Sequence, residues 1–151
     1  MTSDLTPGRI THWVTGTAAP CLSLFKPVVV GHPLPPMGPS PTDHYDPQTL
    51  WWRHEQLHRA ALDDFPTALA MITGERDAAE AMFRTRMNDA WAKGDAALGA
   101  GIKTCWDEAA AIEARWTAAI AGAARRGPSV MGGSAALSWA RLNAVAGFRE
   151  G

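Results

Sequence analysis

The sequence predicts an α+β protein in which two N-terminal strands precede a mostly helical region. Side chains alternate in character before residue 30, prolines are frequent in residues 31–47, and apolar residues recur every three or four positions from residue 48 onward. These changes in pattern divide the chain into terminal strands at 1–30, a proline-rich linker at 31–47 and a helical region at 48–151.

The strand prediction depends on two segments. Residues 10–17 alternate with a period of two among β-branched, aromatic and polar side chains, and residues 21–30 resume an extended pattern after Gly16 and Pro20 interrupt it. We interpret residues 4–8 as a flexible leader. Two strands alone are only marginally stable in water, so we expect further strands or a layer of helices to cover them.

Prolines, glycines and capping residues predict where the helices begin and end. The dipeptide Asp46-Pro47 suits the N-terminus of a first helix. Pro66 should kink or restart that helix, because proline cannot donate a backbone hydrogen bond within it. Gly94-Asp95 marks a further break. The region after the linker is therefore expected to contain three or four helical segments.

The third helical segment has the most regular period of the chain. Its apolar residues are separated by alternating steps of four and three, which predicts one buried face over about seven turns. Residues 125–128 are expected to end this helix, and Ser134 to cap a shorter last helix with apolar residues at 137, 142, 145 and 148. The predicted stripe consists of Leu98, Ile102, Cys105, Ala109, Ile112, Trp116, Ala119 and Ala123.

One pattern on the first helix suggests metal chemistry. His54 and His58, four residues apart, would share a helical face and could both bind a zinc ion, with Glu55 as general base on the metal-bound water. Glu75 is a candidate third ligand. The extended zincin signature has an uncharged residue after the second histidine, where this sequence has Arg59. We therefore predict an amphipathic helix without a metal and keep zinc as an alternative.

The nucleophile candidates are few. The cysteines Cys21 and Cys105 belong to no C-x-x-C pair and are interpreted as free, buried or half-buried thiols. Cys21 has no identifiable base or helix N-terminus beside it that would activate its thiol. Thr2 would become an N-terminal nucleophile only if Met1 were removed, and the leader around it does not resemble a buried strand.

Composition excludes several classes of partner. The formal net charge is −1, charged residues make up 19% of the chain and hydrophobic residues 46%, and like charges form no block. Such a chain has no basic surface for nucleic acid or anionic lipid. No apolar run is long enough for a membrane span, and no secretory signal is recognisable. We expect a cytoplasmic protein, and the sequence is compatible with a homo-oligomer.

A family resemblance lies in residues 12–27, HWVTGTAAPCLSLFKP. This segment resembles the end of the catalytic region in the C69 peptidases and secernins. The helix that begins LWWRHEQLHR is similar to the one that opens the C-terminal helical tail of that family. In the first segment the matching residues are His12, Thr15, Thr17, Pro20, Ser23, Phe25, Lys26 and Pro27.

The resemblance implies a function and a missing nucleophile. Family members are cysteine dipeptidases of the N-terminal nucleophile class, with a four-layer αββα sandwich, and they use no metal or other cofactor. This chain would be the C-terminal part: the last strands of the sandwich followed by tail helices. It would contribute no catalytic residue, and its partners would be an upstream catalytic segment and, in the whole enzyme, a dipeptide. A non-catalytic helical interaction module is the main alternative.

Overall fold

The computed structural model describes residues 1–15, 18–124 and 132–148. Its order of elements confirms the predicted α+β class: strands come first and helices follow. In the described residues the strands are β1 (Thr2–Thr6), β2 (Arg9–Val14) and β3 (Lys26–Val28), and the helices are α1 (Leu50–Ala61), α2 (Phe65–Lys93), α3 (Asp95–Ala124) and α4 (Gly133–Val145).

The strands form an antiparallel sheet in the order β1-β2-β3, with Thr2 opposite Trp13 and Trp13 opposite Pro27. The prediction of a flexible leader at residues 4–8 was wrong, because Pro7 and Gly8 close a hairpin between β1 and β2. Gly8 has φ +75°, a conformation that glycine adopts without steric penalty. All five residues of β1 are nevertheless exposed.

The second predicted strand, at residues 21–30, is mostly not a strand. Only Lys26–Val28 pairs with β2, and Pro20–Leu22 forms a single 3-10 turn. A proline at the start of this turn fixes its own φ and favours helical geometry over pairing. The first predicted strand, at residues 10–17, ends at Val14, and its residues 16 and 17 lie outside the described part of the chain.

Residues 31–47 contain no helix or strand, as the proline-rich composition predicted. Hydrogen bonds to the start of α1 hold this linker in place: the backbone N–H of Leu50 donates to the carbonyl oxygen of Met37 at 3.1 Å. Gly38 (φ +83°) passes so close to α1 that a Cβ there would lie 2.0 Å from the carbonyl oxygen of Gln48. A side chain at position 38 would displace the linker.

Helix ends agree with the predictions at Pro66 and Gly94 and differ at the first cap. Helix α2 has proline in its first turn and ends at Gly94, whose φ is +96°. Helix α1 begins three residues after Pro47, and its N-cap is Thr49, whose side chain accepts a hydrogen bond from the Trp52 N–H. Asp46 instead accepts from the Gln48 N–H and forms the turn before the helix.

The long stripe on α3 is buried from Leu98 to Trp116, as predicted. It then shifts by one residue: Ala119 is exposed and Ile120 is buried. An α-helix has 3.6 residues per turn, so a stripe with an average spacing of 3.5 drifts off the core and needs an additional four-residue step. The helix end predicted at residues 125–128 lies outside the described ranges.

Helix α4 does not begin at the predicted Ser134 cap, and most of its apolar residues are exposed. It begins at Gly133 after Gly132, with no side-chain cap from Ser134. Its apolar residues Leu137, Leu142 and Val145 are exposed, and the side toward α1 carries Asn143, Ala146 and Phe148. The hydrogen bond from the Tyr45 N–H to the Ala146 carbonyl oxygen (2.7 Å) and contacts to Arg59 hold the helix in this orientation.

The main hydrophobic core joins the sheet, the segment before β3 and helices α1 to α3. A second, smaller cluster connects α1 to the end of α4 through Trp52, Ala146 and Phe148. In the described ranges, no helix combines the length and the apolar character needed to cross a membrane. The main core includes Trp13, Leu22, Leu24, Val29, Leu57, Phe83 and Ile102.

Candidate functional site

The most unusual chemistry of the molecule lies under residues 22–28, which we call the strap. The strap leads from the 3-10 turn into β3 and lies against α2 and α3. It contains Ser23, Phe25, Lys26 and Pro27, which contribute to the family resemblance. Leu22 and Leu24 are fully buried within it. The strap therefore brings polar side chains into the core together with its leucines.

Glu113 of α3 is the centre of a buried polar cluster. Its Oε1 accepts hydrogen bonds from the Ser23 hydroxyl at 3.0 Å, the Leu24 N–H at 3.1 Å and the Lys26 ammonium at 2.7 Å. Lys26 also donates to the Leu24 carbonyl oxygen at 3.1 Å. Ser23, Lys26 and Glu113 are all buried, and charge-assisted bonds of this kind are the stronger class of hydrogen bond.

Side chains of the helices also form hydrogen bonds with other backbone groups of the strap. The Phe25 N–H donates to Oε1 of Glu80 on α2 at 3.1 Å, and the indole N–H of Trp106 on α3 donates to the Pro27 carbonyl oxygen at 2.9 Å. Buried backbone groups without partners are destabilising, so these helix side chains bind strap groups that the pairing of β3 with β2 leaves free. The strap is docked by specific polar contacts as well as by its leucines.

This cluster is not arranged for nucleophilic catalysis. Lys26 lies 3.4 Å from the Ser23 hydroxyl, but a lysine base must be neutral, and Lys26 donates to the Glu113 carboxylate. Both residues are buried. The groove between α2 and α3, of about 530 Å³, is lined by residues such as Arg86 and Thr104 and by no residue of the strap. We assign the cluster a structural role.

His54 of α1 adjoins this cluster and is itself unusual. Its side chain is almost fully buried, with 3% of the residue exposed, and neither ring nitrogen has a hydrogen-bond partner. Burial is the main factor that lowers the pKa of His54 below 6.5. Glu113 opposes that shift, Lys26 reinforces it, and the Leu22 backbone opposes it without forming a hydrogen bond of acceptable geometry. The site therefore favours the neutral ring.

Glu55 and His58, the other two residues of the candidate zinc pattern on α1, make different contacts. Glu55 accepts hydrogen bonds from His58 Nδ1 at 3.1 Å and from Arg59 Nε at 2.9 Å. Burial alone would raise the pKa of Glu55, but these two partners more than offset it and lower the pKa below 4.5. The His58 ring packs edge-on against Trp139 of α4. Glu55 is thus a paired carboxylate and a weak base.

Arg59 completes this second cluster. Its guanidinium lies 5.2–5.4 Å from the ring centroids of Trp52, Trp139 and Phe148, within the range of cation–π attraction, and also donates to the Asn143 side chain of α4. The residue that breaks the extended zincin signature is therefore the main polar link between α1 and α4.

The arrangement does not support the zinc alternative. His54 adjoins the strap, whereas His58 contacts Glu55 and α4. Glu75, the candidate third ligand, accepts from the Trp116 indole N–H at 2.7 Å and pairs with Arg115. Throughout the described residues, no three His, Cys, Asp or Glu side chains lie close enough together to hold a metal ion. The predicted absence of zinc itself remains for metal analysis to test.

The remaining nucleophile candidates lie in separate parts of the molecule. The prediction of a buried or half-buried thiol was wrong for Cys21, which is exposed, and is confirmed for Cys105. Burial raises the pKa of the Cys105 thiol despite the nearby Arg86. Thr2 begins the exposed strand β1. Thr17 lies outside the described residues.

Sequence reasoning missed Glu113, which is 87 residues from Lys26 along the chain. One signal was present, since a lysine within the apolar segment LFKPVVV needs a buried carboxylate partner. The pattern could not identify which of the acidic residues that partner was. Glu113 follows Ile112, a residue of the predicted α3 stripe. That position lies beside the core, but the sequence alone did not distinguish Glu113 from the other acidic residues.

No protein-family model, curated protein or solved structure matches this chain.

Proposed function

We propose that this chain is the C-terminal part of a C69/secernin-like cysteine dipeptidase and that it serves there as a non-catalytic support. The observation that carries the proposal is the use of the family-like residues: Ser23 and Lys26 direct their polar groups to Glu113, and the Pro27 carbonyl oxygen accepts from Trp106. Residues that resemble the family thus hold the sheet against the helices.

The chemistry of the whole enzyme would come from an upstream segment of the same family protein. An N-terminal cysteine thiolate attacks the amide of a dipeptide while its own α-amine acts as base. Neither thiol of this chain suits that task, because Cys105 is buried with a raised pKa and Cys21 has no base beside it among the described hydrogen bonds. The support would position the sheet that carries the nucleophile.

The hairpin of β1 and β2 is the surface that we assign to the upstream segment. Strand β1 pairs with β2 on one side, and in the described residues its other edge pairs with no strand. Leu5 and Ile10, near its tip, are exposed apolar residues. An unpaired edge with apolar side chains favours the addition of another strand.

A non-catalytic helical interaction module is the second candidate, and one observation favours it. Helix α4 exposes Leu137, Leu142 and Val145. Under that alternative, the partner would bind α4 and the hairpin would stay free.

Co-expression with the N-terminal segment of a C69 dipeptidase tests the proposal. We expect the two chains to co-purify and to hydrolyse dipeptides in a thiol-dependent manner, whereas this chain alone hydrolyses them no faster than buffer. A Cys→Ala change at the nucleophile of the added segment is the control. Rapid hydrolysis by the isolated chain would contradict the proposal. If that hydrolysis were sensitive to chelators and lost in Glu55→Gln, it would indicate the zinc alternative.

Two matched variants separate the two candidate functions. Leu5 on the hairpin and Leu137 on α4 are exposed to similar extents, 69% and 75%. If the hairpin joins the upstream segment, Leu5→Lys abolishes co-purification and Leu137→Lys does not. The reverse result would favour the interaction module.

A further inference from the structure

We propose that His54 is a proton-sensitive element that controls the docking of the strap on α3. The ring is buried between α1 and the strap, has no hydrogen-bond partner for either nitrogen, and adjoins the ion pair that fastens the strap. This inference concerns the fold of this chain and does not depend on the peptidase assignment.

Burial of the ring and the charges around it determine the effect of a proton. Lys26 faces His54 from the strap, Glu113 faces it from α3, and His58 lies on α1 itself. With His54 neutral, the Lys26 ammonium and the Glu113 carboxylate balance each other at 2.7 Å. A proton on His54 would place a second cation beside a single carboxylate whose Oε1 already accepts three hydrogen bonds. In the docked arrangement, burial is the main factor that disfavours the charged ring and Lys26 adds to it, while Glu113 offsets them only in part.

Undocking of the strap allows the His54 ring to bind a proton. The Leu22 backbone and Lys26 belong to the strap and adjoin the ring, so movement of the strap lets water reach both ring nitrogens. The undocked form then binds a proton near the ordinary histidine pKa of 6.5, whereas the docked form binds one only at lower pH. Because the undocked form binds more protons below pH 6.5, acidification favours undocking.

A purely structural role does not account for this residue. A buried neutral imidazole retains one donor and one acceptor, and leaving both without partners is destabilising. Leucine would fill much of the same space without either group. We therefore expect His54→Leu to fold at neutral pH and to keep the strap docked.

Hydrogen exchange of the strap amides tests the proposal. The Leu24 N–H bonds to Glu113 and the Phe25 N–H bonds to Glu80, so both report undocking directly. Between pH 7.5 and 5.5, after correction for intrinsic exchange, their opening constant should rise about tenfold in the wild type, as expected for one group of pKa 6.5 that binds a proton only when undocked. Glu55 does not interfere, because its pKa lies below 4.5.

Two variants and one titration make the result decisive. In His54→Leu the opening constant should be the same at both pH values, and in His44→Gln, at an exposed histidine, it should rise as in the wild type. Equal rises in the wild type and His54→Leu would overturn the proposal. If His54→Leu does not fold, NMR titration of the wild-type ring decides: a pKa well below 6.5 supports the proposal, and a pKa of 6.5 or above overturns it.

Discussion

The two sides of helix α1 differ in how they use polar residues. On the strap side, a buried ion pair between Lys26 and Glu113 adjoins His54, whose ring nitrogens have no partner. On the α4 side, Glu55 has two partners, and Arg59 is surrounded by three aromatic rings. The difference shows that a short motif on one helix can serve two unrelated surfaces.

The number of partners sets the energetic contrast between the two sides, because Glu55 and Arg59 are as buried as Lys26 and Glu113. The strap side belongs to the main core, which joins the sheet to three helices, whereas the α4 side belongs to a small separate cluster. A buried charge that loses its partner is destabilising, and Lys26 pairs with a single carboxylate, whereas Arg59 also contacts Asn143 and three aromatic rings. The strap side should therefore be sensitive to any change in charge, and the α4 side should be more tolerant.

The largest effect is expected from Glu113→Leu, which leaves the Lys26 ammonium buried without its carboxylate. We expect the free energy of unfolding to fall by about 3–5 kcal/mol, measured by urea denaturation. Glu108→Leu is the control, because Glu108 lies on the same helix and pairs with Arg86 at the surface. It should lose less than about 1 kcal/mol. Equal losses in the two variants would show that the buried Lys26–Glu113 pair contributes no more than a partly exposed pair.

A smaller effect is expected on the α4 side. Arg59→Met removes the hydrogen bonds to Glu55 and Asn143 and should lower the free energy of unfolding by about 1.5–3 kcal/mol. It should also make α4 more susceptible to limited proteolysis. Arg53→Met, at an exposed arginine of the same helix, is the control and should leave both measurements nearly unchanged. A larger loss for Arg59→Met than for Glu113→Leu would reverse the comparison.

The exposed side of α4 should be nearly insensitive to substitution. Leu142 is 51% exposed, so Leu142→Ser should change the free energy of unfolding by no more than about 0.5 kcal/mol. A thermal or urea unfolding curve measures this directly. A loss above about 2 kcal/mol would mean that Leu142 is covered in solution, for example by a second molecule.

No effect of metal is expected on either side of α1. Because His54 and His58 contact different neighbours, we predict that metal analysis finds no stoichiometric zinc. The stability of the protein should be unchanged by a chelator. About one zinc per chain, lost in the His54→Ala, His58→Ala double variant, would contradict this prediction.

The parts of the fold that depend on local chemistry could be predicted from the sequence. Pro66 and Gly94 fix helix boundaries through backbone geometry, and the α3 stripe follows from helical periodicity. The hairpin of β1 was missed although Pro7 and Gly8 are typical turn residues, because the polar sequence of β1 lacks the alternation of a half-buried strand. Strand β1 lies at the edge of the sheet and is exposed along its whole length, so its side chains need not alternate.

The candidate site could be predicted only in part, because it depends on contacts between distant residues. The sequence indicated that Ser23 and Lys26 were unusual through their family resemblance, but Glu113 and Glu80 reach the strap from helices far along the chain. The orientation of α4 could not be predicted from the spacing of its apolar residues either. Its direction follows from Arg59 and Tyr45, which bind its polar groups and turn its leucines outward.

A double-mutant cycle between Lys26 and Glu113 tests most directly whether the strap is fastened by this ion pair. Lys26→Met and Glu113→Leu should each destabilise the protein strongly, since each leaves a polar group of the cluster without its main partner. The double variant should be much more stable than the sum of the two losses implies, with a coupling free energy of about 2–3 kcal/mol. Losses that add within about 0.5 kcal/mol would show that the two residues act independently and would contradict the structural role assigned to the strap.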